Sequence, residues 1–167
     1  MFSIELCAAD YCAAMVSVYA DSAPAAALTD LSRQAVDEMR HYFQIESLLN
    51  EFGAEAGDYP WDIYVWSKFL IGAEFAEHLC IEQRLGEGNG LDGGLGLLQF
   101  FETVGHDRAC AIFELINADE ERHVRTGNDW LMRLCGSQTA VAALDEKVRQ
   151  QLEAADMAVR HFPPINR

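Results

Sequence analysis

Residues 37–41 read DEMRH and residues 119–123 read DEERH. In both copies the Glu and the His, three positions apart, fall on an otherwise apolar helical stripe. One stripe is Leu31, Ala35, Glu38, His41, Ile45, Leu48, Phe52; the other is Ala109, Phe113, Ile116, Glu120, His123, Gly127, Trp130, Leu134. Burying an unpaired carboxylate costs roughly several kcal/mol, comparable to the whole stability margin of a domain. A fold that accepts both stripes must therefore give these four side chains partners inside its core. Metal cations meet that need, because carboxylates and imidazoles then act as ligands instead of stranded polar groups.

The remaining pattern is helical throughout. Residues 2–20 lack Gly and Pro and carry the stripe Phe2, Glu5, Ala9, Cys12, Val16, Tyr19. After a break from Asp21 to Pro24, a second helix is expected to about Phe52, ending before Gly53 and Gly57. A third is expected from Tyr59 to Leu85, opening after Asp58 with Pro60 in its first turn. The string GEGNGLDGGLG at 86–96 reads as a glycine-rich break, followed by a short amphipathic piece, Leu97 to Val104. A fourth helix spans about His106 to Cys135, and Ser137 caps a fifth reaching about Phe162. No strand alternation and no shift in composition marks a second domain, so residues 1–167 are expected to form one all-α bundle.

A four-helix di-metal site takes Glu-x-x-His from each of two helices and a single Glu from each of the other two. Glu5 is the only acid on the first stripe, and it lies almost as far before a turn at Ser22 as Glu38 lies after it. On the third helix Ile71, Phe75, His78, Glu82 and Leu85 share a face, which makes Glu82 the natural fourth carboxylate, with Glu74 and Glu77 as competitors. His78 reads as an interior or rim histidine, since six ligands already complete the set.

Composition narrows the partners. Twelve Lys and Arg against 27 Asp and Glu leave a net charge of −15, which opposes general binding to nucleic acid or anionic membranes. No apolar run approaches the ~20 residues that span a bilayer, and the acidic N-terminal string MFSIELCAADYC is unlike a secretory leader. The five cysteines, Cys7, Cys12, Cys80, Cys110 and Cys135, form no CxxC pair and read as reduced, small apolar residues, so a cytoplasmic location is expected. GEGNG follows a helix instead of a strand, which argues against a nucleotide loop. Trp61, Trp66, Trp130, Tyr11 and Tyr42 are expected to pack.

The paired D-E-x-R-H strings resemble the signature of the ferritin-like di-iron carboxylate superfamily, which includes oxygenases, desaturases and ribonucleotide reductase small subunits. The chain is more closely similar to a bacterial ferritin-like domain family of unassigned function. That resemblance rests on IELCA at 4–8, EQRLGEGNGLD at 82–92, ADEERHV at 118–124 and PPIN at 163–166, in order along nearly the whole chain. The 82–92 string is longer than the family's compact motif, and the extension usual before the first helix is absent.

The resemblance implies a ferritin-like four-helix bundle with a fifth, C-terminal helix. It implies Glu5, Glu38, His41, Glu82, Glu120 and His123 as the ligands of two metal ions, and so favours Glu82 over Glu74. Asp37 and Asp119 resemble acids that orient the histidines of such sites, each reaching a histidine on another helix, with Arg40 and Arg122 beside them. The oxygen-rich set suits iron, with manganese or a mixed pair as the alternative, and O2 as co-substrate. The expected activity is a non-haem di-iron oxidoreductase, an oxidase or monooxygenase acting on a small metabolite. The alternatives are an iron-handling protein of the ferritin–rubrerythrin kind and a tRNA-hydroxylase-like enzyme. An external electron donor and a homodimer are compatible with this reading.

Overall fold

A computed structural model describes residues 2–160. The expected PPIN motif at 163–166 and the end of the fifth helix near Phe162 lie outside the described residues. Among the described residues the chain is all-helical. Its elements are α1 (Phe2–Val18), α2 (Ala25–Glu51), α3 (Tyr64–Phe69), α4 (Phe75–Leu79), a π-helical segment (Cys80–Gly86), α5 (Glu87–Val104), α6 (Asp107–Cys135) and α7 (Gln138–Arg160).

Two hydrophobic clusters organise these rods. One gathers Tyr11, Cys12 and Met15 of α1, Ala27 and Leu31 of α2, Leu79, Cys80 and Ile81, Trp130 and Leu131 of α6, and Val141 and Val148 of α7. The other gathers Ile45 and Leu48 of α2 with Ala109, Ile112, Phe113 and Ile116 of α6, and Phe2, Leu97 and Phe101 pack against it. Along α2 the first cluster comes early and the second late; along α6 the order is reversed. These two helices are therefore antiparallel, and α1 runs against α2. The π segment and α5, continuous with each other, run against α6. Between the clusters every one of these rods carries acidic or imidazole side chains, so a polar layer is clamped by apolar packing at both ends.

Two expectations about residues 59–104 are corrected. The span 59–85 is not one helix. Residues 59–63 stay outside it because the Asp62 carboxylate accepts the Tyr64 backbone N–H (2.8 Å), and α3 starts at Tyr64, five residues after the expected Tyr59. The rod breaks again between α3 and α4, where Gly72 leaves room for the His78 ring: a Cβ there would sit 2.8 Å from its Cε1.

The second correction concerns 86–96, which is helical and not a break. Each helix-interior glycine costs about 1 kcal/mol relative to alanine, so local propensity opposes this helix and tertiary contacts hold it. Gly94 faces α6 so closely that a Cβ would lie 2.1 Å from Asn117 Oδ1. Gly127 of α6 similarly admits the π segment, since a Cβ there would lie 2.2 Å from the Gln83 Cβ. The true ends of α5 and α6 are Gly105 and Gly136, both in the left-handed region (φ 72° and 76°). Ser137 caps α7 as expected, its Oγ accepting the Ala140 N–H at 3.2 Å.

These glycines make opposite predictions. Gly127→Ala is expected to destabilise by about 1–3 kcal/mol, because the methyl group forces the π segment off α6. Gly96→Ala, whose Cβ would meet nothing, is expected to stabilise by about 0.5–1 kcal/mol. Urea denaturation of both variants checks the pair; similar effects of the same sign would refute this view of α5.

Candidate metal centre

Glu38 and His41 lie one turn apart on α2, Glu120 and His123 one turn apart on α6, and all four are buried. Antiparallel packing of α2 on α6 brings the two pairs face to face. His41 Nδ1 lies 3.1 Å from Glu38 Oε2 and 3.4 Å from Glu120 Oε1. His123 Nδ1 lies 3.0 Å from Glu38 Oε1 and 3.3 Å from Glu120 Oε2. Each of the two glutamates thus offers one oxygen to each histidine.

Two further carboxylates complete the two halves. Glu5 of α1 places Oε2 3.5 Å from His41 Nδ1. Glu87 of α5 stands on the opposite side, hydrogen-bonded by Gln34 Nε2, which also donates to Glu38 Oε1 at 3.3 Å. Two sets result, Glu5–Glu38–His41–Glu120 and Glu38–Glu87–Glu120–His123, and within each the donor atoms lie within 4.8 Å of one another. Glu38 and Glu120 belong to both sets.

Of the six residues expected as ligands, Glu5, Glu38, His41, Glu120 and His123 fall in these sets. Glu82 does not. It is buried in the π segment and lines the same cavity, but its Oε2 has no hydrogen-bond partner. Glu87, unmarked by the sequence reading, stands in the second set. The reason is geometric. Residues five apart point about 140° away from each other on an α-helix, whereas a π turn, closed by i→i+5 bonding, stacks them. Cys80–Gly86 is such a segment, so Glu82 and Glu87 both face the centre. No 3.6-residue pattern contains that relation. Glu77, the competitor, bonds Lys147 and accepts the Ala73 N–H (2.8 Å) away from the centre, and His78 pairs with the Tyr11 hydroxyl at 2.9 Å.

Behind the histidines lies a crossed network. His41 Nε2 donates to Asp119 (3.2 Å) and His123 Nε2 to Asp37 (3.4 Å), so each D-E-x-R-H string orients the imidazole of the other. Arg40 reaches Asp119 at 2.5 Å and Asp37 at 2.8 Å; Arg122 reaches Asp37 at 2.6 Å and Asp119 at 2.8 Å. Although burial works against it, hydrogen bonds from His41 and Arg40 hold the Asp119 carboxyl below its usual range. With Nε2 committed to an ionised acid, Nδ1 is the atom each ring presents to the centre.

Without cations, protons hold this layer together. Burial pushes the Glu5 carboxyl up to about 7 and that of Glu82 up to about 8, and it pushes Glu87 well above the ordinary value. Burial alone would lower the imidazoles, but the hydrogen-bonded Glu120 and Glu38 outweigh it, raising His41 to about 12 and His123 to about 9. Glu120 is depressed, since its bonds to His123 and His41 overcome its burial. A donor set that must borrow protons to stay buried fits divalent cations, which supply the same positive charge through the same lone pairs.

An apolar cavity of about 310 Å³ opens on the centre. Ile4, Ala8, Val65, Leu97 and Ile116 form its walls, while Glu5, Glu38, Glu82, Glu87 and Glu120 form its acidic side. Tyr42 stacks on Phe2 (4.4 Å between ring centroids), Trp66 on Phe69 (5.3 Å), and Trp130 is buried, in keeping with packing roles. Trp61, partly exposed, packs against Phe2 with 5.4 Å between ring centroids.

A family model described as a protein of unknown function, DUF455, matches residues 1–166. No curated protein and no solved structure matches the chain.

The raised groups fix a pH dependence. Glu5, Glu82, His41 and His123 bind protons more tightly folded than unfolded, so their contribution is complete below about pH 4.5 for the acids and 6.5 for the imidazoles. It is lost as pH rises through about 7, 8 and 9. The melting temperature of metal-free protein is therefore expected to fall between about pH 6 and pH 9. Saturating Mn(II) is expected to flatten that slope, which calorimetry with and without chelator measures.

Proposed function

The chain belongs to the DUF455 family, proteins of unknown function, and from the centre it buries we propose that it is a di-metal, O2-activating oxidoreductase of the ferritin-like kind, acting on a small organic substrate. The four antiparallel rods around the polar layer then read as a ferritin-like four-helix bundle, with α7 as the additional helix. The supporting observation is the pair of donor sets sharing Glu38 and Glu120 beside an apolar cavity.

In this reading two ions would be held by Glu5, His41, Glu38 and Glu120 and by Glu87, His123, Glu38 and Glu120. Four carboxylates nearly balance two divalent ions, which makes the burial of so many acids tolerable. Iron held there supplies the electrons and open coordination positions needed to reduce O2 and oxidise a neighbouring C–H bond. The rest falls to the protein. Asp37 and Asp119 keep Nε2–H donated outward, and Arg40 and Arg122 pair with both acids. The aliphatic walls exclude water and hold the substrate beside the carboxylates.

The cavity separates this reading from its rivals. Hydrocarbon walls at Ile4, Ala8, Val65, Leu97 and Ile116 beside the acids favour an organic substrate over iron storage of the ferritin–rubrerythrin kind. A tRNA substrate is opposed by the net charge of −15. Among the described residues no helix is long and apolar enough to cross a membrane.

Anaerobic loading with Fe(II), followed by metal analysis, is expected to give about two ions per chain. Mössbauer spectra are expected to show exchange-coupled ferric iron after oxygen is admitted. Glu38→Ala is expected to abolish the pair, and Glu87→Gln to lose one ion while Glu82→Gln keeps both. Asp37→Asn and Asp119→Asn should each weaken binding by about 10–100-fold. Full stoichiometry in Glu38→Ala would sink the proposal. Rapid uptake of bulk Fe(II) into mineral would favour the storage alternative.

A further inference from the structure

Among the described residues a single cationic side chain lines the cavity. Lys68 keeps only 8 % of its surface, yet it lines the cavity beside the acids. It comes from α3, which supplies Tyr64, Val65 and Lys68 to the wall and no carboxylate. The acids come instead from α1, α2, the π segment, α5 and α6. The cavity thus combines carboxylates from five elements, hydrocarbon walls and the Lys68 side chain in one lining.

Lys68 is not used up by the fold. Among the described residues it forms no ion pair; its Nζ lies over the Tyr64 ring, 4.3 Å from the centroid. Burial holds its ammonium pKa below the ordinary value, opposed by the charges of Glu82, Asp156, Asp62 and Glu87. Burying a long, entropically costly side chain with its charge unpaired leaves a group that gains from meeting an anion. Its position is fixed by neighbours: the Asp62 N–H donates to Ser3 Oγ (3.2 Å) and the Asp62 carboxylate starts α3, so the α3 wall is tied to the first turn of α1.

Resting on the reading of the cavity as a substrate site, we propose that the substrate is a small amphiphilic carboxylate, its anionic head held by Lys68 over Tyr64 and its hydrocarbon part laid across Val65, Leu97 and Ile116 toward the paired donor sets. The head group is thereby kept at the wall that bears no acid, and the far end of the molecule is the part delivered to the centre. A cavity of about 310 Å³ sits at the lower end of the range for small-ligand sites, which suits a compact chain or single ring. The alternative role for Lys68, a counter-charge serving Glu82 alone, predicts no preference for anions in the cavity.

Calorimetric titration of the Fe(II)-loaded chain under nitrogen separates the two, using hexanoate, hexanamide and hexylamine as probes. Hexanoate is expected to bind about tenfold or more tightly than the neutral amide, and hexylamine least well. Lys68→Met is expected to erase the advantage of hexanoate while leaving hexanamide binding unchanged, and Lys68→Arg to retain most of it. Equal binding of hexanoate and hexanamide to the unaltered chain would overturn the proposal without recourse to any variant. So would a hexanoate preference that survives in Lys68→Met, since the head group would then be ligating metal directly. Metal content measured on the same samples keeps the two claims apart. Two ions without anion preference defeats the anchor alone, and a Lys68-dependent preference in a chain that takes no metal defeats the di-metal reading alone.

Discussion

Five buried glutamates and two buried imidazoles in one cross-section impose the constraint on which the rest of the molecule depends. Such a layer is far from neutral if every acid ionises, and in a low-dielectric core each unpaired charge costs roughly several kcal/mol. The fold answers on three levels. Hydrophobic clusters above and below fix the rods in register. Crossed Asp–His and Arg–Asp bonds hold both imidazoles from behind. Positive charge, as protons or as cations, then fills the space between the carboxylates. Removing any one level leaves the others without a purpose, which is why the polar layer and the apolar clusters have to be understood together.

The two D-E-x-R-H strings do more than repeat. Because α2 and α6 run antiparallel, the repeat produces an approximate two-fold relation in which each string completes the other's site. Asp37 serves His123 and Asp119 serves His41, while Glu38 and Glu120 face both imidazoles. The arrangement breaks symmetry only where the other two rods enter. Glu5 comes from a regular helix, whereas Glu87 comes from a rod distorted by the π segment, which also turns Glu82 inward. That distortion gives one half of the centre an additional carboxylate and places it beside the cavity. Apolar walls and the Lys68 side chain line that same cavity.

Much of this was legible in the residues themselves. Glu38, His41, Glu120 and His123 stand out because acids and imidazoles interrupt apolar stripes of helical period, and Glu5 because it is the sole acid on its stripe. Glu87 was hidden for a physical reason: it sits in a glycine-rich string that local propensity assigns to a break. Its relation to Glu82 appears only when the backbone adopts five-residue spacing. Lys68 was hidden as well, since a lone lysine in a short helix has nothing in its neighbours to show that its side chain is buried. Gln34, which joins Glu87 to Glu38, reads in one dimension as an ordinary polar residue one turn before the ligand pair.

Sequence alone determined the helical character, the burial of Cys7, Cys12 and Cys80 and the four side chains that must find partners in the core. Those follow from periodicity and from the cost of desolvating charge, both of which are local or nearly so. Tertiary structure decided which carboxylate faces His123, how a glycine-rich stretch becomes a helix, and that Lys68 lines the cavity. These depend on close approach between rods, at Gly94 against Asn117 and at Gly127 against Gln83, and such contacts between distant segments are encoded in no single window of the chain.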